Sequence, residues 1–243
     1  MEMPLTGLWD PETEEPTLAP LAVLVDAVGG TVNHLPYEQK FWTVSTELSL
    51  IMTPGVDWAL AKSVRATAGL IRADDSMALS RCQIYAGSTL LGEGSVRSLT
   101  IPAGVVPQTP PPPFSDDDTG TRRALSQRLA LSLRSVGDGA AVLAQEWNPL
   151  LTNVIGTVHG GVVAAALELA GTTAVNAGQV PQFRTSSMTV HFLAALAGSE
   201  RNRAEAMYEA SVIHKGRRSA VIDARARGAD GRVATIARLN AYR

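Results

Sequence analysis

The sequence predicts an α+β protein built from two tandem copies of one unit, each a long central helix wrapped by an antiparallel sheet. Three observations lead there. Val162 to Val175 is small and apolar all round, with Glu168 its only charge, so a helix there must be buried on most sides. Strand-like runs separated by turn residues follow that helix. The same order of elements occurs earlier in the chain at a nearly constant offset. Leu24-Val25-Asp26-Ala27-Val28-Gly29 lines up with Ala166-Leu167-Glu168-Leu169-Ala170-Gly171 at 142 residues, Ile51-Met52-Thr53-Pro54 with Phe192-Leu193-Ala194-Ala195 at 141, and Gly87-Ser88-Thr89 with Ala229-Asp230-Gly231 at 142. Constant spacing between landmarks is the mark of a duplicated unit.

Taken in order, the first copy has a helix at about Leu18–Val32 and strands near Trp42–Met52, Ala59–Arg72, Ala78–Ala86 and Leu90–Thr100. Pro110, Pro111, Pro112 and Pro113 then precede Ser115-Asp116-Asp117-Asp118. Consecutive prolines favour a stiff extended segment and the acidic run favours solvent, so 107–118 reads as a linker between domains 1–106 and 119–243. In the second copy Leu125, Leu129 and Leu133 recur at four-residue steps, which predicts an amphipathic helix over Thr121–Val136, ended by Gly137-Asp138-Gly139. The first copy has too few residues before Leu18 to hold its equivalent. Ala141–Ala144 suits a strand. After the buried helix come strands at Ser187–Leu196, Arg203–His214, Ser219–Arg227 and Val233–Tyr242, with Gly216 and Asp230-Gly231 marking turns.

Composition narrows the functions. The 243 residues are 45% hydrophobic and 18% charged, ample for two cores. A net charge of −2 gives no reason to expect a nucleic-acid partner. No apolar run approaches the roughly 18 residues of a membrane span, and Glu2, Asp10 and Glu12 are unlike the basic start of a signal peptide, so a soluble, cytoplasmic protein is expected. Cys82 is the single cysteine, which leaves no internal disulfide and no metal-like cysteine spacing.

The chemistry concentrates before the second helix, in Asn153-Val154-Ile155-Gly156-Thr157-Val158-His159-Gly160-Gly161. Two glycines at a helix N-terminus allow close backbone approach and leave N–H groups unpaired. Those donors and the positive end of the helix dipole suit a carbonyl oxygen that becomes an oxyanion. Glu168 stands nine residues after His159 inside an apolar helix, where a carboxylate must be paired or used. Thr172 lies one turn further on the same face, within reach of Glu168 or a water. His34, His191 and His214 lack metal-ligand spacing and read as ordinary surface or strand residues, so no metal site is expected. Trp9, Trp42, Trp58 and Trp147 suit core or interface positions. Lys215, Arg217 and Arg218 flank a hairpin and are candidate partners for phosphates, with a solvated turn as the alternative.

At these residues the chain resembles the hotdog-fold acyl-CoA thioesterases of the PaaI and 4-hydroxybenzoyl-CoA type, over most of 121–243 and more faintly over 16–106. The resemblance implies that Asn153 holds the amide position before the histidine and that Gly160 donates its N–H to the thioester carbonyl. It implies that Glu168 takes the place of the helical carboxylate, a nucleophile or a general base on water. Thr172 matches a hydroxyl one turn later, and Thr185 or Ser186 another. The substrate would be an acyl-CoA, with no further cofactor, and the fused chains would form a homo-oligomer. The first copy departs from the pattern: Asp26 keeps the acid, but Thr17, Leu18 and Ala19 stand where the histidine and glycines would be, and Pro11 where the Asn would be.

In the family, the loop and the acid of one site come from different protomers. If the two copies pair in that way, Asn153, His159 and Gly160 face Asp26 while Glu168 faces Thr17, and Asp26 is the main acid. Two other functions compete: a hotdog hydratase or dehydratase, and a non-catalytic acyl-CoA-binding module. The Gly-Gly loop favours hydrolysis over the first, and the eroded loop of the first copy keeps the second in play.

Overall fold

A computed structural model describes residues 1–5, 8, 17–37, 41–56, 61–102, 124–178, 182–196 and 205–243. The expected linker at 107–118, together with Trp9, Pro11 and Trp58, lies outside the described residues. The first half comprises β1 (Glu2–Pro4), α1 (Ala19–His34), β2 (Phe41–Met52), β3 (Ser63–Ala73), β4 (Met77–Ala86) and β5 (Thr89–Pro102). The second comprises α2 (Leu125–Arg128), β6 (Leu131–Gly137), β7 (Ala140–Gln145), α3 (Gly160–Asn176), β8 (Arg184–Phe192), β9 (Ala206–Lys215), β10 (Ser219–Arg227) and β11 (Val233–Tyr242).

The eleven strands form one antiparallel sheet, in the order β1-β3-β4-β5-β2-β8-β11-β10-β9-β7-β6. The two halves meet where β2 pairs with β8, from Glu47 opposite His191 to Ile51 opposite Ser187. Each half is thus a helix wrapped by its own part of a shared sheet, the tandem hotdog arrangement. Leu48, Leu50, Met188 and Val190 point inward from the two central strands and are buried, as alternation along a half-buried strand requires. The helices α1 and α3 pack against each other beneath this seam. Because α3 lies between α1 and the sheet, thirteen of its seventeen residues are buried. That packing is why its sequence has no polar face.

One expectation is corrected. The leucine period at 125, 129 and 133 gives only the single turn of α2, and the chain then becomes the outer strand β6, paired with β7 from Leu131 opposite Gln145. Ala130 adopts φ 53°, a left-handed conformation that stops a right-handed helix. Leu125 and Leu129 still reach the core, but Leu133 is exposed on the edge strand. Gly137-Asp138-Gly139 is therefore a hairpin turn and not a helix end; Asp138 and Gly139 take φ of 51° and 71°. In the first half β1 lies beside β3, the place β7 takes beside β9 in the second.

The helices approach the sheet through a glycine at the same point of each copy. A Cβ on Gly29 would lie 2.6 Å from Val96 Cγ2 and 3.0 Å from both Cys82 Sγ and Ser80 Oγ. One on Gly171 would lie 3.2 Å from Leu239. The Cys82 thiol is fully buried there, and that burial pushes its pKa up to about 11. Gly29→Ala is expected to overpack this contact and to destabilise the fold by about 1–3 kcal/mol. A urea midpoint unchanged from wild type would show that the sheet yields freely at this point.

Candidate active site

The site begins in the loop before α3. Asn148 Oδ1 accepts from the Leu150 N–H at 2.9 Å and starts a short turn over Pro149–Leu151. Asn153 then closes a tight turn on itself. Its Oδ1 accepts from the N–H groups of Ile155 and Thr157, each at 3.1 Å, and its Nδ2 donates to Thr157 Oγ1 at 2.9 Å. Gly156 supplies the φ of 76° the turn needs. The His159 N–H donates to Leu151 O at 2.9 Å, which fixes His159 as the N-cap of α3. Asn153 lines the cavity, with its Oδ1 and one N–H of its Nδ2 engaged by its own loop.

Across from this loop stands Asp26, in the middle of α1 and 6% exposed. The Gly161 N–H donates to Asp26 Oδ2 at 2.6 Å and also to His159 Nδ1 at 3.1 Å. His159 Nδ1 lies 3.4 Å from Asp26 Oδ2. The neighbouring Gly160 N–H, the first of the helix, makes no hydrogen bond among the described residues. Both glycines are required by space. A Cβ on Gly160 would sit 2.8 Å from Asp26 Oδ2, and one on Gly161 2.6 Å from the Val23 Cα of α1. The carboxylate thus occupies the positive end of a helix from the other half of the chain.

Ser45 was not singled out in the sequence and belongs here. Its Oγ donates to Asp26 Oδ1 at 2.8 Å. Simple alternation from Leu48 and Leu50 would point Ser45 outward, but β2 has a bulge between Ser45 and Glu47 that reverses the facing. A matching bulge lies between Asn240 and Ala241 of β11, where Thr185 pairs with Ala241 and Ser186 is passed over. Ser186 Oγ donates to Asn240 O at 3.2 Å, so Thr185 is the residue of the second half that corresponds to Ser45. Thr185 and Ser45 are 140 residues apart, so the repeat offset of 141–142 leads from Thr185 to Val44 or Thr43, and only the matching bulges identify Ser45.

Thr17 and Glu168 make the mirror-image contact. Thr17 Oγ1 donates to Glu168 Oε2 at 2.5 Å, both groups being buried, with Glu168 at 0% exposed. Thr172 does not reach the carboxyl group; its hydroxyl donates to the backbone oxygens of Glu168 and Leu169, each at 3.1 Å. Lys215, Arg217 and Arg218 are also not brought to the Asp26 site. Lys215 Nζ donates to Val175 O at 2.8 Å, near the C-terminal end of α3 and about 22 Å along its axis from Gly160 at about 1.5 Å per residue.

A cavity of about 810 Å³ opens over Asp26, Ser45, Asn153, His159 and Gly160, a size suited to a small organic ligand. His34 and Trp42 also line it, with ring centroids 4.5 Å apart. His34 is therefore part of a pocket wall, contrary to its reading as an ordinary histidine. Among the described residues no group of His, Cys, Asp and Glu could hold a metal ion, and no helix is long and apolar enough to cross a membrane.

Residues 155–235 match the Thioesterase superfamily. No curated protein matches the sequence. The structure is similar to the TesB protein of Mycobacterium avium subs. paratuberculosis over 97% of this chain and 90% of that one, with a TM-score of 0.66 at 11% identity. A thioesterase candidate from Novosphingobium aromaticivorans covers 92% of this chain and 85% of its own, with a TM-score of 0.58 at 14% identity. The E. coli PaaI protein covers 49% of this chain and 82% of its own, with a TM-score of 0.45 at 20% identity. The whole-chain likenesses show the double-hotdog fold.

The contact between Thr17 and Glu168 can be weighed directly. Thr17→Val removes the hydroxyl that serves a fully buried carboxyl group, and a loss of about 1–3 kcal/mol in unfolding free energy is expected. Denaturant unfolding of the variant measures it. A midpoint equal to wild type would mean that the contact contributes nothing net.

Proposed function

We propose that this chain is a thioester hydrolase acting on acyl-CoA, with one catalytic site per chain assembled from both halves. The observation that carries this reading is the pair of adjacent N–H groups at the start of α3. The Gly161 N–H holds Asp26 Oδ2 at 2.6 Å, while the N–H of Gly160 beside it, a residue that lines the cavity, makes no hydrogen bond among the described residues. The match of residues 155–235 to the Thioesterase superfamily supports the reaction class.

The thioester carbonyl oxygen accepts from the Gly160 N–H, which places the carbonyl carbon beside Asp26. Asp26 takes a proton from a water molecule, and the oxygen of that water attacks the carbon. Negative charge collects on the carbonyl oxygen, at the end of the α3 dipole and against a preorganised donor. When the tetrahedral species collapses the C–S bond breaks, and the sulfur leaves with the proton from Asp26. The products are a carboxylic acid and a free thiol. Ser45 holds Asp26 Oδ1 and Gly161 holds Oδ2, so both carboxylate oxygens are fixed by donors. That restraint suits a base acting on water better than a nucleophile that must advance on carbon. Glu168 faces Thr17, Leu18 and Ala19 and not a Gly-Gly loop, so its role is in packing.

Asp26→Asn is expected to lower kcat by about 10²–10⁴-fold in thiol-release assays with acyl-CoA. Glu168→Gln is expected to lower it only modestly, through packing around α3. A dead Glu168→Gln with a nearly wild-type Asp26→Asn would overturn the assignment. Buried Cys82 leaves the thiol reagent to report the product. Asn153→Ala, which loosens the turn that aims His159 and Gly160, is expected to reduce kcat by up to about 10²-fold while the protein stays folded. Unchanged turnover in that variant would remove the turn from the mechanism.

A further inference from the structure

Asp26, Gly30 and His34 stand four residues apart on α1, share one face of the helix, and all line the cavity. Gly30 differs from its neighbour. At Gly29 a Cβ would lie 2.6 Å from Val96 Cγ2, so packing demands glycine; at Gly30 it would meet only Ser45 Oγ, at 4.0 Å. A glycine in a helix interior is unfavourable relative to alanine, and nothing in the packing requires one at position 30. The repeat offset puts Thr172 at the matching place in the second half, where the side chain bonds to its own helix. Glycine is therefore retained on the half that carries Asp26, at a point where any side chain would project into the cavity.

We propose that Gly30 is a specificity-determining residue, keeping open a channel along α1 that takes a medium-length aliphatic acyl chain. This rests on the thioesterase reading above. The channel runs from Asp26 to the His34–Trp42 pair, about 12 Å along the helix axis at about 1.5 Å per residue. That length holds a chain of roughly eight or nine carbons, each carbon–carbon bond of about 1.5 Å advancing somewhat less along a zigzag. Its walls include the paired strand residues Trp42, Val44, Leu99 and Ile101, while the loop before α3 adds Thr152, Asn153 and Thr157 together with Val154, Ile155 and Val158. An acyl chain is matched by the strand residues, and the amides of a pantetheine arm by the hydroxyls and amide of the loop.

The test compares octanoyl-CoA with butyryl-CoA in wild type, Gly30→Ala and Gly30→Val, reading kcat/KM by thiol release and folding by the melting midpoint. Wild type is expected to prefer octanoyl-CoA. The octanoyl-to-butyryl ratio should fall stepwise through alanine to valine, by about tenfold or more at valine. Gly30→Ala should melt no lower than wild type. Should Gly30→Val fail to fold, the alanine variant alone decides by the direction of its ratio. A ratio that stays constant while both rates fall would overturn the channel and leave the thioesterase reading standing. No thiol release from either substrate by wild type would overturn both.

Discussion

A hydrogen bond between the two halves of the chain, from the Gly161 N–H to the Asp26 carboxylate, governs the rest of the arrangement. A carboxylate that is 6% exposed must find donors inside the protein. Here they come from the first turn of a helix in the other half and from Ser45 on the central strand. For the bond to form, α3 must start against the middle of α1, and Gly161 must let the two backbones meet at a distance no Cβ would tolerate. The pairing of β2 with β8 sets the halves at the spacing this requires. The Gly161 N–H that holds the acid and the Gly160 N–H, which makes no hydrogen bond among the described residues, belong to consecutive residues of one helix.

The duplication did not preserve two such sites. At the start of α1, Thr17 replaces the histidine, and Leu18 and Ala19 replace the glycines. All three are buried. A side chain at either glycine position of α3 would strike Asp26 or the backbone of α1, so the matching carboxyl group opposite Leu18 and Ala19 cannot be held in the same way. A threonine hydroxyl holds Glu168 in its place. The symmetry of the sheet survives, including a bulge in each half, while the Gly-Gly loop lies on one side.

The clearest sequence signals came from residues whose constraints are local. Ser219–Arg227 and Val233–Tyr242 match β10 and β11 residue for residue, because Gly216 and Asp230-Gly231 turn the chain at their ends. The absence of a polar face along α3 likewise followed from burial on all sides. The leucine period at 125–133 misled because four-residue spacing is also even spacing, compatible with a strand once Ala130 breaks the helix. Ser45 was missed because a bulge inverts which residues face inward, and a bulge leaves no mark in the sequence. Asn153 lines the cavity as its place before His159 implies, while the bonds of its side chain to three groups of its own loop depend on a turn the sequence does not display. Lys215 lies at the far end of α3 from Gly160, a distance that charge and spacing along the sequence do not give.

By itself the sequence determined the duplicated α+β architecture, the loop at His159-Gly160-Gly161 and the two helical acids, because each depends on spacing along one chain. Which acid meets which loop was a matter for the tertiary structure. Asp26 and Gly161 are 135 residues apart and touch only because β2 and β8 join the halves into one sheet. The inward turn of Ser45 and the open face at Gly30 were settled at the same level. Facing and free space are properties of packed elements, and no residue carries them alone.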